Sequence, residues 1–222
     1  MNNYTIFRAL TLAAYKALNF VMWRGAMPKK RKYKMRIITG TARGARLFSP
    51  EGETTRPTTE MAKEGIFSSI QFDLVNTDVL DLFAGSGQLG LEALSRGAKS
   101  AVLTDSDADA FEIIKKNAQK TGLYQKCRVL RMEYGEYIKA ASRAGDKFDF
   151  IFIDPPYESR IAEEAAKRCI KSGLVKHGGK IFCESDRPEF DSASFGEEAA
   201  SFVEETKIYK YGKTYFHVLR LK

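Results

Sequence analysis

The sequence predicts an α/β fold in which helices cover both faces of a mainly parallel sheet. Three observations carry that prediction. From residue 79 onward, short apolar runs alternate with segments of helical period, the pattern of repeated strand–helix units. Gly97, Gly122, Gly145 and the pair Gly178-Gly179 punctuate these segments, as helix ends and turns require. The chain then closes on two strand-like runs, 203–209 and 214–221, joined around Tyr211-Gly212-Lys213. A hairpin at the end of a parallel sheet adds an antiparallel edge.

Taken in order, residues 35–40 alternate well enough for a strand, 40–44 make a turn carrying Arg43, and 45–48 return as the second strand of a small hairpin. Residues 49–57 are a loop rich in Gly, Pro and Thr. Thr58 is a good helix N-cap, with Glu60 and Glu64 favourable in the first turns. Ile66, Ile70 and Leu74 recur at i, i+4 and i+8, so 59–75 reads as a helix with one buried stripe. Strands are expected at 79–83, 101–105, 128–131, 149–153 and 180–184, and helices at 88–96, 108–121, 135–142 and 161–173. The organisation expected is a basic, dispensable or disordered extension over 1–34, an RNA-binding hairpin and loop over 35–58, and the main domain over 59–222.

With 222 residues, 44% of them hydrophobic, the chain is long enough for one domain with a sizeable core. Its formal charge of +8 is unevenly placed. Residues 1–34 hold eight of the 36 Lys and Arg and no acid, which leaves 28 basic against 28 acidic residues elsewhere. Arg36, Arg43 and Arg46 extend the block before the first acid, Glu51. A basic block entering ordered structure points to a polyanionic partner such as nucleic acid. Arg8 and Lys16 interrupt the apolar part of residues 1–23, leaving it too short and too charged to span a membrane. Its acid-free composition also suits a targeting presequence, and Met35 could begin the folded protein. Cys127, Cys169 and Cys183 are odd in number, far apart and not clustered with His177 or His217. That argues against a structural metal or disulfide framework and suits a reducing, cytoplasmic setting.

Two segments carry chemistry. Asp154-Pro155-Pro156-Tyr157 follows the apolar run 148–153 and forms a rigid polar shelf with an aromatic wall, suited to gripping a flat group by its amino edge. Upstream, Asp81-Leu82-Phe83-Ala84-Gly85-Ser86-Gly87-Gln88-Leu89-Gly90 places a GxGxxG pattern between a strand and a helix, where glycines let the backbone approach a ligand. Asp81 adds information. Dinucleotide sites put a pyrophosphate at the helix N-terminus, and a carboxylate four residues before the first glycine meets that anion unfavourably. It suits a ligand bearing an ammonium group, such as the amino-acid tail of S-adenosylmethionine. Asp105, with Ser106 after it, ends the second strand, where an acid can accept from ribose hydroxyls. The alternative for Asp105 and Asp107 is helix capping. Glu133 and Tyr134 end the third strand, within reach of an adenine.

With these residues in place the chain resembles class I S-adenosylmethionine-dependent methyltransferases, and more narrowly the RsmD-type 16S rRNA guanine-N2 methyltransferases. The resemblance runs from Met35 to Lys222. It rests on Met35-Arg36-Ile37-Ile38-Thr39-Gly40 with Arg43-Gly44, on Thr55-Arg56-Pro57-Thr58, on the Asp81–Gly87 and Asp154–Tyr157 motifs, and on Tyr211-Gly212-Lys213-Thr214. Residues 1–34 have no counterpart in the family pattern. The resemblance implies a Rossmann-like, seven-stranded sheet with a small N-terminal β-hairpin. It also implies methylation of one guanine of small-subunit rRNA, guanine 966 in the family's name; the expected partner is 16S rRNA, naked or within a 30S subunit or assembly intermediate, and the expected state is a monomer. Ala84, Gly85 and Gly87 would line the cofactor.

The expected chemistry needs no metal. The exocyclic amine is a weak nucleophile because its lone pair is delocalised. Asp154 Oδ and the Pro155 carbonyl are natural acceptors for its two N–H groups, and Tyr157 would stack on a base that has left its own stack. Arg36, Arg43, Arg46, Arg56 and Thr58 would contact RNA. The same shelf also serves adenine N6, cytosine N4 and protein glutamine, and a non-catalytic RNA-binding module on this fold is a further alternative.

Overall fold

The computed structural model describes residues 35–49, 57–156, 160–189 and 192–222. Arg56, Tyr157 and the expected extension over 1–34 therefore lie outside the described residues. Helix α1 (Pro57–Ser69) leads into β1 (Asp78–Asp81), α2 (Gln88–Ser95), β2 (Ser100–Asp105), α3 (Ala108–Lys120), β3 (Cys127–Arg131), α4 (Tyr134–Ala144), β4 (Phe148–Ile153), α5 (Ile161–Lys171), β5 (Val175–Ser185), α6 (Ser192–Ser201), β6 (Val203–Tyr211) and β7 (Thr214–Leu221). The strands form one sheet ordered β3-β2-β1-β4-β5-β7-β6, parallel from β3 to β5, with β7 antiparallel to both β5 and β6.

That order fixes where a ligand can sit. The chain winds outward from β1 through β2 to β3, then returns to place β4 on the other side of β1. Between β1 and β4 the connections leave in opposite directions, and in open parallel sheets the crevice at such a reversal, beyond the strands' carboxyl ends, is the binding site. Asp81 ends β1 and Asp154 follows β4, so the two sequence motifs flank the reversal.

Alternation along the strands supplies two core layers. Phe150 and Phe152 of β4 point to one face with Ile66, Phe67 and Ile70; Ile151 and Ile153 point to the other with Tyr137, Ala165 and Cys169. The Phe67 and Phe152 rings stack at 5.3 Å. Gly65 lets α1 approach the C-terminal hairpin, since a Cβ there would lie 2.1 Å from the Tyr211 hydroxyl.

Several elements differ from expectation. Helix α1 starts at Pro57, which fits the first helical position because its ring presets φ and it has no N–H to leave unpaired. Thr58 thus lies inside the first turn and is not the cap. The helix stops at Ser69, yet Ile70 and Leu74 still bury in the core. The Gly178-Gly179 turn lies within β5, which begins at Val175. The pairing partner of Phe148 is Val175 and that of Phe150 is Lys180, so the glycines form a bulge, with Gly178 at φ 73°. Helix α6 has no counterpart among the expected helices; Gly196, at φ 68° and ψ 153°, interrupts it.

The N-terminal hairpin is shorter than expected, with one bridge between Arg36 and Arg46. The reason lies in its hydrogen bonds. Ile37 N donates to Ala45 O at 3.0 Å and Leu47 N to Met35 O at 2.8 Å, but the next donors turn to helix α2. Ile38 N and Thr39 N donate to the Glu92 carboxylate at 2.6 and 3.0 Å. Thr41 N donates to Ser95 O at 2.8 Å and Ala42 N to Ser95 Oγ at 3.0 Å. A side-chain carboxylate and a helix end complete what a second strand would otherwise satisfy.

Candidate cofactor and amine site

The glycine turn is shaped by close contact. Gly85 and Gly87 take φ of 53° and 78°, conformations that suit glycine. A Cβ on Gly90 would sit 2.9 Å from the Leu103 side chain, so this glycine seats α2 against β2. At Gly85 a Cβ would meet nothing within 4 Å, so the open space there faces away from the protein.

Asp81 is fully buried beneath this turn. Its Oδ2 accepts from Gly90 N at 2.9 Å, whereas Oδ1 is buried with no hydrogen-bond partner among the described residues. Burial pushes the carboxyl up to about 7; the Gly90 N–H opposes this, Asp154 adds to it, Lys63 opposes it and Asp105 adds to it. A buried oxygen with nothing to accept from is the shape of a site for a cationic donor, and an ammonium group satisfies both its charge and its lone pairs.

The other cofactor candidates divide. Asp105 braces the turn: its Oδ2 accepts from Gly85 N at 2.8 Å and its Oδ1 from Asp107 N at 3.0 Å. Asp107 is the residue that caps α3, accepting from Ala110 N at 2.8 Å. Ser106 is exposed, and its carbonyl accepts from Arg131 Nε at 3.4 Å. Glu133 caps α4, with Oε2 accepting from Gly135 N at 2.7 Å and Glu136 N at 3.2 Å, so that oxygen is committed to the helix. Tyr134 packs on Phe83 with ring centroids 5.1 Å apart, an apolar wall beside the crevice.

On the β4 side, Asp154 comes one residue after the Ile153–Cys183 pair, so it stands beside Glu184 at the end of β5. The two carboxyl groups lie within hydrogen-bonding reach. Burial raises the Asp154 carboxyl above the usual range, while the Lys63 ammonium and the Glu184 contact draw it back. Pro155 is buried and Pro156 exposed.

Lys63, Gln88 and Glu184 were missed in the sequence. Lys63 is only 7% exposed, and its Nζ donates to Gln88 Oε1 at 3.1 Å. Its signal was its place one turn before Phe67 on the buried stripe of α1, where a lysine is out of pattern. For Glu184 the signal was an acid closing the apolar run Ile181-Phe182-Cys183.

The arginine hairpin borders the same crevice. Arg36, Arg43 and Arg46 are exposed, while Met35, Ile37 and Leu47 are buried beneath them. Gln88 Nε2 donates to Arg36 O at 3.4 Å. Asn117, fully buried, donates to Ser86 O at 2.8 Å and Phe48 O at 2.9 Å, and accepts from Phe48 N at 2.8 Å. Among the described residues no cluster of His, Cys, Asp and Glu could hold a metal, and no helix is long and apolar enough to cross a membrane.

Comparison with known proteins agrees with this geometry. The family model described as Conserved hypothetical protein 95 matches residues 35–220. Ribosomal RNA small subunit methyltransferase D of Haemophilus influenzae is 32% identical over 157 residues, 70% of this chain and 81% of that protein. The protein of the same name from Escherichia coli K12 is 32% identical over 153 residues, 69% and 75% of the two chains. Among solved structures, a hypothetical protein of Thermus thermophilus superposes with a TM-score of 0.69 at 28% identity, covering 84% of this chain and 99% of that one. The SAM-dependent methyltransferase from Agrobacterium tumefaciens shares the fold, with a TM-score of 0.58 at 16% identity over 80% and 66% of the chains.

Proposed function

The chain belongs to the Conserved hypothetical protein 95 family of RsmD-type methyltransferases, and from that premise we propose that it transfers a methyl group from S-adenosylmethionine to the exocyclic N2 of a specific guanine in 16S rRNA. The observation that carries the reading is the pair of motifs across the sheet reversal. Asp81 offers a buried, unpartnered oxygen on one side, and Asp154 with Pro155 offers acceptors on the other.

S-adenosylmethionine supplies an electrophilic methyl group on a sulfonium. Asp81 Oδ1 would hold the ammonium of its amino-acid tail, Gly85 and Gly87 would let it lie against the turn, and Phe83 and Tyr134 would flank its adenine. Asp105 already braces Gly85 N, so its part in ribose binding would be shared with the loop. Asp154 Oδ and the Pro155 carbonyl would accept the two amine N–H groups and favour a pyramidal nitrogen with its lone pair toward the methyl. Bound S-adenosylmethionine would supply the methyl group, its sulfur keeping the bonding pair, and the amine would give up one N–H proton. Positioning supplies most of the acceleration. Arg36, Arg43 and Arg46 would bind phosphates, with Arg56 and Tyr157 assigned to RNA phosphate and base by sequence alone.

The test is methyl transfer from labelled cofactor to 30S particles, naked rRNA, duplex DNA and release factors, with the modified nucleotide mapped by mass. Labelling of one guanine in 16S rRNA is expected. Transfer confined to DNA or protein would sink the reading.

A further inference from the structure

We propose that Glu184 is a positioning residue for methyl transfer: it holds one proton in common with Asp154, which keeps the Asp154 oxygen facing the crevice anionic and fixed in aim toward the amine. The inference rests on the reading above, in which Asp154 contacts the amine.

Strands β4 and β5 are parallel with Ile153 opposite Cys183, so the next residues, Asp154 and Glu184, project side by side from the same face. That face carries Phe152 and Phe182 with their rings 5.4 Å apart, so the two carboxyl groups stand on an apolar floor. Glu184 is only 4% exposed, and its neighbour across β7 is Phe216. Two adjacent carboxylates cannot both be charged in such a place without strong repulsion; a single proton between them removes one charge and forms a short, strong hydrogen bond. Burial raises the Asp154 carboxyl, in keeping with this.

The surrounding charges decide which side of the pair faces the substrate. Lys63 from α1 lies close enough to Asp154 and Asp81 to act on both charges. Asp81 approaches from β1 and carries its own like charge. From the C-terminal hairpin the ionisable groups nearest on this face are Tyr209, opposite Phe216, and Tyr211, packed against α1 at Gly65; Lys207, opposite Val218, and Arg220, opposite Lys180, stand further along the strands and are exposed, so the buried cation is Lys63. The cation therefore sits on the Asp154 side, which favours ionised Asp154 and protonated Glu184. During transfer the amine forms its bond to the methyl carbon, the methyl–sulfur bond breaks onto sulfur, and the released N–H proton passes to Asp154 and then to solvent. Glu184 keeps its own proton throughout and anchors the acceptor.

A glutamine at 184 can still donate a hydrogen bond to Asp154 but cannot lose a proton. The experiment compares wild type, Glu184→Gln and Glu184→Leu on 16S rRNA from pH 6 to 10, reading kcat, KM for S-adenosylmethionine and binding of S-adenosylhomocysteine. Glu184→Gln is expected within about threefold of wild-type kcat at neutral pH, with its ratio to wild type rising at alkaline pH as the wild-type pair loses its shared proton. Glu184→Leu is expected to lose about 100-fold in kcat, the order of loss when a contacting group is misplaced by about an ångström, with KM for the cofactor little changed. A ratio of Glu184→Gln to wild type that is flat across pH overturns the proposal, as does a folded Glu184→Leu with wild-type kcat. Should the wild type methylate a different amine, the function reading fails while the same pH comparison on that amine still decides the role of Glu184; no activity on any amine overturns both.

Discussion

Replacing Asp81 with asparagine separates the cost of the buried carboxylate from its use. Burial raises this carboxyl from 3.8 to about 7. The folded protein therefore holds the proton more tightly than the unfolded chain does. The cost is absent below 3.8, grows between 3.8 and 7, and is complete above 7. At about 1.4 kcal/mol per tenfold change in proton affinity it reaches roughly 4 kcal/mol. Asparagine keeps an oxygen for Gly90 N and removes the charge, but it leaves an amide donor buried without a partner, at about 1–3 kcal/mol. The ligand-free variant is thus expected to gain about 1–3 kcal/mol at pH 8, or roughly 3–10 °C in melting temperature for a chain of this size, and to gain nothing at pH 5. Binding moves the other way. Losing the charge opposite a buried ammonium costs about 3–5 kcal/mol, so affinity for S-adenosylhomocysteine is expected to fall more than a hundredfold. In the wild type, affinity itself should fall about tenfold per pH unit below 7 as Asp81 takes up its proton. Thermal melts at pH 5 and 8 with calorimetric titration read all three. Destabilisation of the variant at pH 8 equal to that at pH 5, or cofactor affinity within threefold of wild type, would refute the reasoning.

Two glycines give a matched contrast. Gly40→Ala places a Cβ 1.8 Å from Ser95 O at φ 87°, so the hairpin should lift from α2 and the melting temperature should drop by several degrees. Gly85→Ala meets no protein atom; it should cost about 1 kcal/mol of stability for its left-handed backbone while losing cofactor affinity at least tenfold, and equal binding by wild type and variant would show the open space is not the ligand's. Glu92→Ala removes the acceptor for Ile38 N and Thr39 N and strands Arg96, whose Nε lies 2.6 Å from the carboxylate; a loss of about 3–5 kcal/mol in urea unfolding is expected. Arg43→Ala combined with Arg46→Ala should flatten the slope of log affinity against log salt for rRNA by about 1–2, measured by fluorescence anisotropy, and an unchanged slope would remove both from the phosphate contacts.

The central parallel strands β1 and β4 were legible because they are buried on both faces and read as apolar runs, the edge strand β3 only through its place in the strand–helix alternation, and the glycine turn and Asp154 were legible because backbone conformations there demand particular residues. The hairpin ladder was not, since its donors pair with Glu92 and Ser95, more than fifty positions away. Helix α6 escaped because Gly196 interrupts its period. The beginning of β5 escaped because two adjacent glycines normally mark a turn, and only the pairing with β4 makes them a bulge. Lys63 and Glu184 carry charges that, read one residue at a time, belong in solvent. What overrides that reading is mutual neutralisation among residues 63, 81, 154 and 184, which no local window contains.

The same long-range bonds change what the hairpin is. In the sequence it reads as an RNA-binding appendage joined to a complete domain. In the structure Gln88 ties Arg36 O to Lys63, Asn117 ties Phe48 to Ser86, and Glu92 and Ser95 close the hairpin's own backbone. Each of these four side chains is buried, and two of them, Gln88 and Asn117, belong to or hold the glycine turn. Removing residues 35–49 would therefore leave buried polar groups without partners at the cofactor crevice, beyond any loss of RNA contact. A chain beginning at residue 50 is expected to bind S-adenosylhomocysteine at least tenfold more weakly than the whole protein, measured by calorimetry without RNA. Undiminished binding would restore the hairpin to an accessory; weakened binding makes it one wall of the cofactor site, so that the surface meeting RNA and the turn meeting the methyl donor order together.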